Sequence, residues 1–114
     1  MYAMKLPNAH FAYVSKAKID EYLLSPIHPD GKSKHDFFIR FGFQPNEGGK
    51  LADALKQHAL EHDVVRQEQT LFGTRYIVEG FLSCPDGRNP EVRAIWFIDQ
   101  DESLLRLVTA YPIH

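Results

Sequence analysis

Two short segments of this 114-residue chain carry side chains able to do chemistry. The first, His28-Pro29-Asp30-Gly31-Lys32-Ser33-Lys34, sets one imidazole beside two ammonium groups; the second, Arg106-Leu107-Val108-Thr109-Ala110-Tyr111-Pro112, carries hydroxyls and a guanidinium. Imidazole ionises near neutral pH, so it can take a proton and return it within one turnover. Lysines and the backbone N–H groups of a tight loop entering a helix suit a phosphate. The combination fits phosphodiester cleavage without a metal. In that reaction a ribose 2′-hydroxyl loses a proton, the leaving 5′-oxygen gains one, and cations offset the charge of the phosphorane.

On this reading His28 is the proton-transfer candidate, and Lys32 or Lys34 supplies the cation. Thr109 and Tyr111 alternate onto one strand face, with Leu107 preceding them; their hydroxyls can bond phosphate oxygens and the Tyr111 ring can stack on a base. Arg75 and Tyr76 follow Gly73-Thr74 at a strand start, where an arginine can grip a phosphate bidentately. Each residue also has a plainer reading. His28-Pro29 can be a structural turn beside solvated lysines, threonine and tyrosine are good strand formers, and most such arginines are surface residues.

Other motifs carry less. His58-Ala59-Leu60-Glu61-His62 matches H-x-x-E-H, but a zinc site of that type needs a further ligand on a downstream helix, and the sequence after His62 reads as strands. Histidines in a last helical turn are also favoured by the helix dipole. Cys84 has no CxxC partner or local base, and Gly48-Gly49 lacks the Gly-Lys-Ser/Thr of a phosphate loop. Neither a metal nor a cofactor is expected.

The elements that must hold these residues follow from periodicity. Residues 5–14 read as extended, with a turn at Pro7-Asn8. Ser15 is a helix cap, and Ala17, Ile19, Tyr22 and Leu23 form an apolar stripe that ends at Ser25-Pro26. Ser33 and Asp36 resemble a capping box before Phe37, Phe38 and Phe41, with Gly42 as the C-terminal cap. Asn46 is placed to cap a third helix that turns Leu51, Leu55 and Ala59 inward. Residues 64–72, 75–82, 92–99 and 104–111 read as strands, with Pro85-Asp86-Gly87-Arg88 as a strong turn. The expected fold is α+β: about three N-terminal helices on one face of a four-stranded antiparallel meander, one domain over residues 1–114. In Val92–Ile98 apolar residues fill both parities. The outward set, Ile95 and Phe97 near Arg93, suits a second core or dimer contact better than a base-stacking surface.

Composition sets bounds. With 44% apolar and 25% charged residues the chain is that of a soluble globular domain, and no apolar run is long enough to span a membrane. A single cysteine fits a reducing compartment, and with no signal-peptide pattern the cytoplasm is the default. The formal charge of −2 counts against general nucleic-acid binding, although Lys32, Lys34, Arg75, Arg88, Arg93 and Arg106 can still line a local cationic cleft.

The motifs also stand in a familiar order. LPNA (Leu6 to Ala9), KIDEYLLS (Lys18 to Ser25), HPDGKSK (His28 to Lys34), FFIRFGF (Phe37 to Phe43), GTRYIVEG (Gly73 to Gly80), PDGR (Pro85 to Arg88), Trp96 and TAYP (Thr109 to Pro112) span nearly the whole chain. In this the chain resembles a bacterial domain family of unknown function. Its layout is similar to the barnase, EndoU, colicin and RelE-like ribonuclease toxins, in which helices pack on a four-stranded sheet and RNA is cut without metal. The resemblance implies His28 as acid/base and Lys34 as phosphate cation, with Arg75, Thr109 and Tyr111 as substrate contacts.

The leading expectation is therefore a toxin-like ribonuclease domain with His28, Lys34 and Thr109 catalytic and Lys32, Arg75, Tyr76 and Tyr111 on substrate. Its partners are an RNA substrate and a cognate immunity protein or antitoxin. The rivals are a non-catalytic interaction or immunity-type module, able to form a homodimer through the Ile95/Phe97 face, and a cystatin-like or NTF2-like small-ligand domain.

Overall fold

The computed structural model describes residues 4–113. Ser15 starts the first helix as expected: its hydroxyl accepts the Lys18 N–H at 3.0 Å. The segment is not one regular helix, however. A short α1 (Lys16–Lys18) runs into a π-helical turn, Ile19–Leu23, closed by the Leu24 N–H on the Ile19 carbonyl at 2.7 Å. The wider turn buries Ile19, Leu23 and Leu24 and leaves Tyr22 half-buried at the margin of the core. Single π turns of this kind recur at functional sites.

Helix α2 (Lys32–Arg40) begins directly at Lys32, with Gly31 as cap and no side chain capping it; the Ser33/Asp36 box is not used, because Asp36 pairs with Lys32 instead. Its end follows the sequence. Gly42 takes φ 103°, its N–H bonds the Ile39 carbonyl, the Phe43 N–H bonds the Phe38 carbonyl, and the Phe38 and Phe43 rings meet at 5.9 Å. These are the paired bonds and apolar contact of a Schellman motif. Helix α3 (Gly48–Glu61) starts one residue later than expected, on Glu47, and buries Leu51, Leu55, His58 and Ala59.

The sheet has five strands, not four, and the helices are not all N-terminal to it. β1 (Met4–Lys5) precedes them and pairs antiparallel with β2 (Asp63–Gln69); β3 (Gly73–Phe81), β4 (Glu91–Asp99) and β5 (Arg106–Pro112) continue an antiparallel meander in the order β1-β2-β3-β4-β5. The extended reading of residues 5–14 holds at Lys5 but gives way to a 3-10 turn at Ala9–Phe11, and a two-residue strand is too short to show the alternation that would have assigned it to the sheet. The Pro85–Arg88 turn forms as expected, with Gly87 at φ 88° and the Asp86 carboxylate accepting the Arg88 N–H at 2.9 Å.

Directly opposed residues share a face, so the register sorts the sheet. Tyr76 opposes Trp96, Val78 opposes Ala94 and Ala94 opposes Ala110; this is the helix-covered face, where Trp96, Val78 and Ala94 are fully buried with Phe38, Leu51 and Leu55. The other face carries three rows: Glu79–Arg93–Tyr111, Ile77–Ile95–Thr109 and Arg75–Phe97–Arg106. A register shift between Ile95 and Trp96 leaves Val108 unopposed as a bulge in β5. The bulge turns Leu107 into the core, where simple alternation groups it with Thr109 and Tyr111. Among the described residues no helix is long and apolar enough to cross a membrane.

Candidate functional site

The loop before α2 is built around the His28 side chain. Its Nδ1 accepts the backbone N–H groups of Asp30 and Gly31, each at 3.0 Å, while Ser25 Oγ accepts those of Ile27 and His28. Such turns are the usual work of Asn and Asp side chains, and an imidazole nitrogen does the same here. With Nδ1 an acceptor, the proton of the neutral ring resides on Nε2. Gly31 is required sterically: a Cβ at this position would overlap the Tyr22 carbonyl oxygen, so the loop lies against the π turn at backbone distance.

Tyr22 is the hub. The His28 ring meets it edge-on at 5.0 Å, and its hydroxyl is 3.0 Å from Thr109 Oγ1. Lys18 and Lys34 place their ammonium groups 4.8 and 5.5 Å from its ring centroid, and Lys34 also lies 5.9 Å from the Tyr111 ring. The lysines Lys5, Lys16, Lys32 and Lys50 each pair with a carboxylate; among the described residues Lys18, Lys34 and Lys56 do not. Lys34 Nζ donates to the Asp30 carbonyl, at 3.0 Å. Two ammonium charges thus lean on one phenol ring with no carboxylate paired to either among the described residues.

Tyr111 joins the cluster to the sheet. The Arg93 guanidinium sits 5.7 Å from its ring and donates to its hydroxyl at 3.5 Å, while Arg93 Nε pairs with Glu79 at 2.5 Å. The Tyr111 hydroxyl and then the Glu79 carboxylate raise the Arg93 pKa further above its already high ordinary value.

Four of the sequence-derived residues, His28, Lys34, Thr109 and Tyr111, therefore meet in one place, and three do not. Lys32 turns along α2 to Asp36 at 2.8 Å. Arg75 lies on the open sheet face but towards its other end, paired with Glu68, whose carboxyl it holds below the ordinary range. Tyr76 faces the core opposite Trp96. Sequence reading placed Tyr22 in an apolar stripe and missed its role; the phenol on that stripe was the available signal, since a buried tyrosine needs a partner for its hydroxyl. Arg93 was visible only as one of several cleft cations.

The paired histidines of α3 do other work. His58 Nε2–H is shared by the carbonyls of Gly80 and Val92 at 3.1 Å each, and His62 Nε2–H donates to Phe81 at 2.8 Å, so both tie the helix end to β3 and β4. Burial lowers the His58 pKa. Cys84 is half-buried, and burial pushes its thiol up to about 11, far from thiolate reactivity.

A family model described as a domain of unknown function, DUF6883, matches residues 5–114. The chain belongs to this family. No curated protein matches it. Among solved structures, this DUF6883 domain is similar to a chain of a contact-dependent growth inhibition toxin–immunity protein complex from Klebsiella pneumoniae 342. The two share 21% identity with a TM-score of 0.71, over 89% of this chain and 99% of that chain. At that identity the likeness is one of fold.

Proposed function

We propose that this DUF6883 domain is a toxin-like module that binds an RNA phosphodiester at the Tyr22 cluster and cleaves it by attack of the 2′-hydroxyl. The observation that carries the reading is the pair of ammonium groups, Lys18 and Lys34, beside the His28 loop and the Tyr22–Thr109 hydroxyl pair. A phosphate seated there supplies an anion for them. It also offers acceptor oxygens to the Asp30 and Gly31 N–H groups at the start of α2, where helix geometry favours anions.

Taking those two N–H groups from His28 frees Nδ1, which links substrate binding to the availability of a base. His28 Nδ1 then accepts the 2′-hydroxyl proton as O2′ bonds to phosphorus. The P–O5′ bond breaks and the Lys34 ammonium protonates the departing 5′-oxygen. The products are a 2′,3′-cyclic phosphate and a free 5′-hydroxyl, and solvent resets both groups. Lys18 and the Thr109 and Tyr22 hydroxyls offset the phosphorane charge, while Arg93 orients Tyr111.

The test is incubation of total RNA and tRNA with the folded protein in EDTA, followed by end-group analysis. Lys34→Gln is expected to lower the cleavage rate by about 100-fold or more, the scale of one proton-transfer or charge-stabilising group, and Lys32→Gln to leave it within about 3-fold. Absence of cyclic-phosphate ends, or equal losses in both variants, sinks the proposal. An immunity-type module is the second reading, supported by the −2 charge and by a structural neighbour from a complex of toxin and immunity proteins. Tight binding of a basic toxin domain, with RNA left intact, would establish it.

A further inference from the structure

The open sheet face continues past the Tyr22 cluster into a second feature. Three residues along β5 from Thr109, roughly 10 Å at strand rise, Arg106 lays its guanidinium over Phe97 at 5.3 Å. Phe97 opposes Arg75, and beside them the hairpin between β2 and β3 lifts Phe72 into solvent at 76% exposure. Phe72, Phe97, Arg75, Arg106 and Asp99 surround an open groove of about 420 Å³.

Phe72 is exposed and Phe97 half-buried, and both lie beside arginines on the open sheet. The carboxylates of these rows are committed: Glu79 to Arg93, Glu68 to Arg66 and Arg75, and Asp99 to Arg106 at 3.5 Å. With Lys34 reaching over from α2, the cations Arg66, Arg75, Arg93, Arg106 and Lys34 stand against four carboxylates, those three and Glu91 at the Phe81 end of β4. A flat apolar partner would suit Phe72 and Phe97 but would take the ion pairs of Arg75 and Arg106 out of water. An unstacked nucleobase with its phosphate satisfies both, because bases stack on aromatic rings and guanidinium planes alike.

We infer that the Phe72–Phe97–Arg106 groove is a nucleobase subsite, holding an unpaired base of the RNA strand whose phosphate lies at the Tyr22 cluster. The inference rests on the proposed function and deepens it: the substrate is single-stranded at the cleavage point, since a base inside a duplex cannot enter the groove. Asp99 supplies an acceptor for the amino group of a base, and Arg75 a donor for a neighbouring phosphate.

The test measures binding, by fluorescence anisotropy, of a labelled RNA tetranucleotide with every 2′-oxygen methylated so that it cannot be cleaved. The same tetranucleotide with abasic riboses and a duplex of the same sequence serve as further probes. Phe72→Ala, at an exposed tip where folding is not at stake, is expected to weaken single-strand binding about 5- to 100-fold, the span of one stacked base. Phe72→Tyr should restore it, the abasic probe should be indifferent to both, and Lys34→Gln should weaken every probe. If Phe72→Ala changes nothing while Lys34→Gln still weakens binding, the base subsite is wrong and the phosphate site stands. If Phe72→Ala weakens binding and Lys34→Gln does not, the subsite stands and the phosphate site is wrong. Duplex binding as tight as single-strand binding, or no RNA binding, overturns the inference.

Discussion

Replacing His28 separates its two parts, because one substitution can keep the loop and remove the chemistry. His28→Ala deletes the acceptor for the Asp30 and Gly31 N–H groups and the edge contact with Tyr22. Asp30 is exposed, so water replaces its bond. Gly31 is buried, but its N–H also reaches the His28 carbonyl at 3.2 Å, which softens the loss. One net hydrogen bond of about 1 kcal/mol and an aromatic contact of about 0.5–1 kcal/mol give a cost of roughly 1.5–2 kcal/mol. For a domain of this size that lowers Tm by about 6–8 °C. His28→Asn offers Oδ1 to the same two N–H groups, as asparagine does in Asx turns, and should recover the hydrogen-bond share, leaving a loss below about 1 kcal/mol. Neither variant can accept the 2′ proton. Thermal unfolding by circular dichroism, run beside the cyclic-phosphate assay, reads both parts. The expected pattern is a graded Tm, with alanine below asparagine, and cleavage lost in both. If asparagine destabilises as much as alanine, Nδ1 is not what holds the loop. If asparagine cleaves like the parent, His28 is a turn residue and the proton-transfer assignment is refuted.

The same geometry sets other outcomes. Gly31→Ala places a methyl on the Tyr22 carbonyl and should cost about 1–3 kcal/mol by overpacking, read by urea denaturation, with Lys34 and cleavage displaced together. His58 is neutral in the fold with a pKa lowered by burial from 6.5. The unfolded chain therefore binds the extra proton, and stability must fall as pH drops below about 6.5, by up to about 1.4 kcal/mol per pH unit. Denaturation midpoints between pH 7.5 and 5 should show that slope, and His58→Gln should lack this share of it. Cys84, with its thiol raised to about 11 by burial, should alkylate slowly at pH 8 and gain rate up to the thiol pKa; fast labelling by iodoacetamide at pH 7 contradicts its burial.

Where local chemistry and structure agree, the sequence was legible. Ser15, Gly42 and Pro85–Arg88 each act within a few residues, so their capping and turn roles need no knowledge of the rest of the chain. The meander of β2 to β5 was readable for the same reason: each strand is long enough to alternate, and short turns force antiparallel neighbours. Long-range facts were not readable. The Val108 bulge depends on pairing with β4, so alternation misplaced Leu107 while keeping Thr109 and Tyr111 together. In the Tyr22 cluster, His28 and Lys34 share one loop and helix start, so their closeness is a local fact. Tyr22 is a contact partner of Thr109 across 87 positions, and no spacing rule announces such a pair. Lys32 and Tyr76 sit next to informative residues in sequence, but helix and strand geometry sends them elsewhere.

The π turn at Ile19–Leu23 has a consequence for how this chain can change over time. It holds one residue more than an α turn, and removing that residue would rotate the downstream chain by about 100° about the helix axis, the angle of one α-helical step. Leu23 and Leu24 would leave the core and the Tyr22 hydroxyl would leave Thr109 in one event. Substitutions in this stretch are graded in their effects; a deletion is not. Between Ser15 and Pro26, then, selection acts on residue count more strictly than on residue identity. Relatives that keep the Tyr22–Thr109 pair should differ there in letters, but not in length.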